Sequence, residues 1–252
     1  MQDTKSKIEF WNSVLEGEEM QEGLEDDLLR DIQFVHENMQ EEHALELLDI
    51  LVHSLPLVEF PCVALDSILS MVEAGGRVAV HAFKGLMLLY TEHSASVQDI
   101  YGLLHALLTE ELFLEECDLL LILVNDLLYS SSISMQTIRR FSKRLARIAI
   151  RTDVFTAGKI LNVLSVMLNK HKDANRKEEV RPKIPVISLL LPGKENAAPE
   201  KAAQESEDMY LHELDALKDH PILNIYAREV KQNRVVDIQE SDLQRALLEL
   251  LN

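Results

Sequence analysis

Apolar residues recur every three or four positions in one segment after another, and this spacing is the main constraint on the fold of the chain. It places them on one face of an α-helix, because the helix has about 3.6 residues per turn. Glycine and proline, which interrupt helices, number only 8 and 7 among 252 residues. We predict helices over residues 24–39, 44–54, 61–71, 77–90, 100–107, 116–129, 134–151, 154–168, 208–218, 222–231 and 241–251.

The predicted helices follow one another at a regular interval of about 20 residues, or about 40 residues per pair. Such spacing suits antiparallel helix pairs stacked side by side, in which each pair buries its apolar face against the next. We therefore expect an all-α fold, namely an α-solenoid of stacked antiparallel helix pairs of the HEAT/armadillo-like kind.

Changes in composition along the chain indicate four regions. Residues 1–60 read as acidic N-terminal helices, and residues 61–171 as a helical-repeat body that includes a basic helix at 134–151. Residues 172–207 contain four prolines and many Lys, Glu, Ala and Asn residues, which is typical of a linker. Within that linker the apolar segment 184–192 reads as a docking segment, which lies along the helical body or binds a partner. Residues 208–252 read as C-terminal helices.

Charge is distributed unevenly along this acidic protein, whose formal net charge is −18. Residues 1–50 carry fifteen Asp and Glu against three Lys and Arg, whereas residues 139–183 carry thirteen Lys and Arg against four acids. On the predicted basic helix the cations occupy one face and the apolar residues the other, so we expect a localised binding surface for RNA or a partner protein. Its residues are Arg139, Arg140, Lys143, Arg144, Arg147 and Arg151.

Several interpretations of this cationic face are compatible with the sequence. It could contact RNA phosphates, or it could dock an acidic protein surface, including the N-terminal helices of the same chain. A structural alternative is that Lys143 or Arg144 pairs with buried or loop carboxylates between helices. The face also resembles a nuclear localisation signal, but such signals are usually extended, and a folded helix argues against that use.

Motifs for catalysis, metal binding or cofactor binding do not occur in the sequence, and we predict a non-enzymatic protein without a small-molecule substrate. Cys62 and Cys117 read as core positions on helices and imply no disulfide. His36 and His43 could share a helical face, but ordinary surface histidines are the better interpretation. The longest apolar run, 119–124, is too short to span a bilayer, so no membrane association is expected.

A further observation concerns motifs that occur in a fixed order. FSKRLARIAI at 141–150 is followed, after the linker, by MYLHELDALKDHPILNIYAREV at 209–230, and related segments lie at 82–94, 100–108, 127–140 and 159–177. Together they resemble the CCAAT-binding-factor / nucleolar complex-associated protein family. The resemblance implies a structural role for the matching residues Phe141, Leu145, Leu211, Glu213, Leu214, His220 and Pro221.

The resemblance implies a ribosome-biogenesis scaffold of the nucleus and nucleolus. Within the family the chain is most similar to the nucleolar complex protein 3 type, which implies association with large-subunit (60S) precursors, with rRNA processing and with a partner of the nucleolar complex protein 2 type. The alternatives are the nucleolar complex protein 4 type, which implies small-subunit assembly, and a general protein-binding solenoid without RNA contact. Because typical members are longer, we interpret the chain as a short divergent member with a missing or reduced N-terminal portion.

Overall fold

A computed structural model describes residues 2–17, 23–38, 43–129, 133–171, 211–232 and 234–251. Within these ranges every regular element is helical, which confirms the predicted all-α solenoid. Twelve α-helices occur there: α1 (Gln2–Leu15), α2 (Leu24–Glu37), α3 (Ala44–Ser54), α4 (Leu65–Ala74), α5 (Gly76–Glu92), α6 (Ile100–Leu107), α7 (Glu110–Glu115), α8 (Cys117–Leu128), α9 (Met135–Ala149), α10 (Val154–Lys170), α11 (Leu223–Lys231) and α12 (Glu240–Leu251). Shorter 3₁₀ helices cover Leu55–Leu57, Pro61–Ala64 and His212–Leu217.

Helices pack mainly against their near neighbours along the chain, as the solenoid interpretation requires. Helix α4 lies against α5, α9 lies against α10, and the N-terminal helices add next-but-one contacts between α1 and α3 and between α3 and α5. One continuous set of buried apolar side chains runs from the N-terminal helices to α12. The stack is therefore held together by apolar burial between successive layers.

Two of the predicted helices differ from the observed elements, and one observed helix was not predicted. The stretch predicted to begin a helix at Pro61 starts as the 3₁₀ helix Pro61–Ala64, and α4 follows it. The described part of the predicted helix 208–218 contains a 3₁₀ helix over His212–Leu217 and no α-helix. Helix α7 was not predicted, because its six residues are too few to show helical periodicity.

The N-terminal helices are joined by one buried polar contact. Trp11 on α1 is fully buried, and its indole Nε1 donates to Asp31 Oδ2 on α2 at 2.9 Å. Lys7 forms an ion pair with the same carboxylate and lies over the Phe34 ring. Because Asp31 is only 4% exposed, these donors replace the water that its carboxylate loses on folding.

Helix α9 forms for reasons that are visible in its sequence. The Ser134 hydroxyl accepts a hydrogen bond from the Thr137 backbone N–H at 3.1 Å and so caps the first turn. The predicted apolar face is buried in the structure, since Ile138, Phe141, Leu145 and Ile148 are each at most 2% exposed. The opposite face of α9 is thereby turned away from the core, which sets the position of its cations.

Helix α10 lies at the centre of the C-terminal layers, in contact with α8, α9, α11 and α12. Gly158 lies against Leu243 of α12, where an added Cβ would come within 2.7 Å of Leu243 Cδ1. Beside it the Ser165 hydroxyl accepts from the Val236 backbone N–H at 3.0 Å. These contacts fix α12 and the stretch before it on α10, so the residues after the predicted linker are part of the stack.

Some predictions need correction and others fall outside the described residues. Cys62 is exposed in a 3₁₀ turn, so the prediction of a core helical position was wrong for it; Cys117 is half-buried at the start of α8. Both thiols are free.

The predicted linker 172–207, with its apolar segment 184–192, lies outside the described residues. Among the described helices, none has the length and apolar character needed to cross a membrane.

Candidate functional site

The six predicted cations lie along one side of α9 and just beyond its C-terminal end. Arg140 and Arg151 are exposed, whereas Arg139, Lys143, Arg144 and Arg147 are half-buried. The sequence therefore places them correctly on one helical side. Their roles are not equal, however, because several of them contact neighbouring elements of the same chain.

Arg144 supports the turn between α6 and α7. Its Nε donates to the backbone oxygen of Leu108 at 2.7 Å. Leu108 directly follows α6, so this oxygen belongs to the group of carbonyls that a helix end leaves without an internal partner. A guanidinium there provides a hydrogen bond and a favourable charge at the negative end of the helix dipole.

Arg147 and Arg151 form ion pairs with two other elements. Arg147 Nε lies 3.2 Å from Glu213 Oε1 in the 3₁₀ helix His212–Leu217, and Arg151 Nη1 lies 2.6 Å from Glu110 Oε1 at the start of α7. Glu110 occupies a first helical turn, where a carboxylate is favourable. At least three of the six predicted binding residues thus make internal contacts. The carboxylate partners belong to Arg147 and Arg151, whereas Arg144 contacts a backbone oxygen and not the carboxylate that the structural alternative gave it.

The motif residues on α9 and after the linker are mostly structural in this fold. Phe141, Leu145, Leu211 and Leu214 are each at most 2% exposed. The Phe141 ring meets the His105 ring of α6 edge-on, with 5.4 Å between their centroids. Glu213, the charged member of the motif, is the partner of Arg147. The two motifs therefore meet in space at the junction of α9 with the C-terminal layer.

The His-Pro pair of the later motif starts helix α11. His220 Nδ1 accepts hydrogen bonds from the backbone N–H groups of Ile222, at 3.2 Å, and Leu223, at 3.1 Å. Pro221 lies between His220 and these two donors, and it has no backbone N–H that would compete for the ring nitrogen. The pair thus works as a helix cap, which the sequence pattern alone did not indicate.

A second electrostatic cluster joins α3, α5 and α8 and was missed from the sequence. His81 Nδ1 lies 2.9 Å from Asp49 Oδ1, and His81 Nε2 lies 3.5 Å from Glu116 Oε1. Arg77 pairs with Glu116 and lies 3.6 Å from Glu115. Asp49, His81 and Glu116 are 32 and 35 positions apart in the sequence, so only the packing of the three helices brings them together.

The cluster shifts the pKa values of its central pair in opposite directions. Burial by itself lowers the pKa of His81, but the hydrogen bond and charge of Asp49, together with the charge of Glu116, outweigh burial and raise it overall. Burial by itself raises the pKa of Asp49, but the hydrogen bond and charge of His81 outweigh it, and the pKa of Asp49 is lowered. The arrangement therefore stabilises the protonated form of His81 and the ionised form of Asp49, and their ion pair holds α5 against α3.

Groups with chemical reactivity are otherwise dispersed. In the part of the chain that the structure describes, no three His, Cys, Asp or Glu side chains are placed to hold a metal ion. His36 Nε2 lies 3.1 Å from Ser70 Oγ, and His43 Nδ1 lies 3.2 Å from Glu46 Oε2, so each histidine has its own local partner. The Cys117 thiol has a pKa raised to about 11, by burial and by the charge of Asp118.

Comparison with curated proteins gives relatives of one kind. The chain is 29% identical to the human "Nucleolar complex protein 4 homolog" over 176 residues, which cover 68% of this chain and 33% of that protein. It is 27% identical to the mouse "Nucleolar complex protein 4 homolog" over 199 residues, or 78% of this chain and 37% of the relative. A frog relative, "Nucleolar complex protein 4 homolog A" of Xenopus laevis, is 25% identical over 199 residues, which cover 78% of this chain and 37% of that protein. The chain thus spans about a third of the length of these relatives.

These relatives confirm the resemblance at the level of the family and correct its finer assignment. They belong to the protein 4 type, so they favour the alternative named from the sequence over the protein 3 type. The sequence model of the CBF/Mak21 family matches residues 79–225, which is more than half of the chain. The match includes α9 with its motif and most of the later motif, which meet at Arg147 and Glu213. The chain belongs to the CBF/Mak21 family.

Proposed function

We propose that this chain is a non-enzymatic ribosome-biogenesis scaffold of the nucleolar complex protein 4 type, which acts in the nucleolus during assembly of the small ribosomal subunit. The observation that supports the proposal most directly is that the human, mouse and frog relatives are nucleolar complex protein 4 homologues. The fold agrees with a scaffold, because stacked helices present long surfaces for partners rather than an enclosed site.

The experiment that tests this proposal is purification of the tagged chain, followed by sequencing of the rRNA precursors that accompany it. We expect enrichment of precursors that contain the small-subunit rRNA. Enrichment of large-subunit precursors would instead support the protein 3 type and its partner of the protein 2 type. Recovery of nucleolar proteins without any rRNA precursor would overturn the ribosomal part of the proposal.

The binding role that we propose for α9 depends on fewer residues than the six predicted from the sequence. Arg144, Arg147 and Arg151 make internal contacts, and we assign them first to holding α9 against α6, α7 and the C-terminal layer. Arg140 is exposed and is the best placed of the six to reach rRNA phosphates or an acidic partner surface. We therefore propose that binding at this face depends mainly on Arg140. Its half-buried neighbours Arg139 and Lys143 add to the positive electrostatic potential around it.

Arg140→Glu tests that role without disturbing the internal contacts. We expect weaker co-sedimentation with precursor particles. If phosphates are the target, the slope of the logarithm of the binding constant against the logarithm of the salt concentration should also become shallower by about one. The matched control is Arg245→Glu on α12, which changes another exposed helical arginine by the same charge. Equal behaviour of the two variants would contradict a docking role for α9.

A second candidate function is that of a general protein-binding solenoid without RNA contact. The specific observation in its favour is that at least three of the six predicted cationic residues make contacts within the chain. It predicts that the purified protein does not bind structured rRNA fragments even at low salt, where phosphate binding is strongest.

A further inference from the structure

The connection between α3 and α4 exposes a row of large apolar side chains. Burial along residues 55–64 repeats every third position, which is the period of the 3₁₀ helices that make up most of this stretch. One row is buried and consists of Leu55, Val58, Pro61 and Ala64. The next row faces outward and consists of Leu57, Phe60 and Val63, which are 51%, 59% and 46% exposed. We call these three residues the apolar ridge.

The backbone beneath the apolar ridge is held in place from two sides. The Phe60 backbone N–H donates to Glu25 Oε1 at 2.9 Å, which ties the connection to the start of α2. Cys62 Sγ donates to the His93 backbone oxygen at 3.9 Å, next to the end of α5. A proline lies in the first two positions of the 3₁₀ helix on each side of Phe60 and restricts the backbone further. The ridge is therefore presented in a preorganised conformation, which lowers the entropic cost of binding.

The core does not need the apolar ridge. The buried row of the same turns already supplies the packing between α3 and α4, so polar residues at the three outward positions would leave the core unchanged. Single exposed apolar residues are ordinary, but three in one row on a fixed backbone are more typical of an interaction surface.

Charges in the segments next to the apolar ridge are mostly negative. The segments 23–30, 55–66 and 84–99 contain seven Asp and Glu residues against Arg30 and Lys84, and Arg30 forms an ion pair with Asp27. Glu59 is exposed in the connection itself, Asp66 is exposed in the first turn of α4, and Glu92 is exposed at the end of α5. An apolar centre with an acidic rim favours an apolar partner that carries positive charge, and it repels nucleic-acid phosphates.

We propose that the apolar ridge docks a basic amphipathic helix of a partner protein, with leucine-type anchors on Leu57, Phe60 and Val63 and lysine or arginine side chains toward the acidic rim. This inference deepens the proposed scaffold function and rests on it for the existence of a protein partner. A second copy of the chain does not fit the ridge, because two acidic rims would face each other. The basic helix of this chain, α9, does not fit either, because its apolar face is already buried.

The test uses synthetic helical peptides of about 18 residues as probes and the full chain as receptor. One peptide carries a leucine stripe with a lysine face, one carries the same stripe with a glutamate face, and one keeps the lysines with the leucine order scrambled. We expect the first peptide to bind, measured by fluorescence anisotropy, and the other two to bind at least about tenfold more weakly.

Substitutions locate the binding site. Leu57→Ser/Phe60→Ser/Val63→Ser should weaken binding of the first peptide by about tenfold or more, because it removes the apolar anchors. The matched control is Ile122→Ser/Ile225→Ser/Leu248→Ser, which removes three other apolar side chains that are 55%, 61% and 61% exposed. The control should change binding by less than about twofold. Circular dichroism melting of both variants verifies that each is folded.

A second measurement needs no substitution in the ridge. Cys62 lies between Phe60 and Val63 and is exposed, so the bound peptide should slow its alkylation by iodoacetamide. Equal binding to the two triple variants, equal binding of the scrambled peptide, or unchanged alkylation of Cys62 would each overturn the proposal. None of these assays contains a ribosomal precursor, so their failure would leave the precursor experiment standing, and failure of that experiment would leave the peptide result intact.

Discussion

Arg147 Nε donates to Glu213 Oε1 at 3.2 Å, although the two residues are 66 positions apart in the chain. The contact links α9 to the first described element after the predicted linker, and it joins two of the motifs that carry the resemblance to the family. Glu213 is 16% exposed in its side chain, and its Oε2 is buried without a hydrogen-bond partner among the described atoms. Arg147 therefore compensates a carboxylate that solvent reaches poorly.

Arg147→Met should destabilise the protein by about 1–3 kcal/mol, because it leaves the Glu213 carboxylate with less compensation for its desolvation. Arg147→Met/Glu213→Gln should cost less than the sum of the single changes, since the double variant removes the charge that needs compensation. Urea denaturation followed by circular dichroism measures these free energies of unfolding. Arg140→Met, at an exposed position on the same helix, is the control and should change stability by less than about 0.5 kcal/mol. Additive costs would show that the two residues are not coupled.

Helix α11 should depend on the ring nitrogen of His220. His220→Ala removes the acceptor for two backbone N–H groups and should cost about 1 kcal/mol, as loss of a helix cap does elsewhere. His220→Asn should retain most of the stability, because the Asn side-chain oxygen can accept from the same donors. Urea denaturation of the two variants separates capping from simple packing of the ring. If Asn and Ala were equally destabilising, the capping role would be wrong.

The pair formed by His81 and Asp49 should make stability depend on pH. His81 has a raised pKa, so its contribution is complete below its ordinary value of 6.5 and is lost as pH rises through the raised value. Asp49 has a lowered pKa, so its contribution is present above its ordinary value of 3.8 and is lost as pH falls through the lowered value. The pair should therefore stabilise the fold most between these two ordinary values.

Melting curves of the wild type and of His81→Gln between pH 5 and pH 9 would measure this effect, with about half a pH unit between points. The melting temperature of the wild type should fall relative to that of the variant as pH rises above 6.5, because glutamine does not titrate. Parallel curves for the two proteins would show that His81 does not contribute.

The two cysteines should differ sharply in reactivity. Burial and the charge of Asp118 raise the pKa of the Cys117 thiol to about 11, which leaves little thiolate at neutral pH, whereas Cys62 is exposed. Iodoacetamide at pH 7.5 should therefore label about one thiol per folded chain and about two in urea. Cys62→Ser should abolish the labelling of the folded protein. Mass spectrometry of tryptic peptides would reveal a contradiction if Cys117 reacted first in the folded chain.

Local periodicity was sufficient to predict the class of the fold and most of its long helices. Along α9 the spacing of apolar and cationic residues predicted both the helix and its buried face. In a helix of about 3.6 residues per turn, the spacing between two residues determines whether they lie on the same side. The same reasoning failed for α7 and for the 3₁₀ helix His212–Leu217, since each has only six residues and a period needs several turns to become visible.

The sequence by itself determined which residues could lie on a common face, and the ordered motifs around FSKRLARIAI were enough to indicate the family. Only the tertiary structure decided which groups contact those faces. In it Arg144 contacts the Leu108 carbonyl, Arg147 contacts Glu213, and the side chains of the apolar ridge remain about half exposed. The physical reason is that helical periodicity is a local property fixed by backbone geometry, whereas the partner of a charge depends on how distant helices pack.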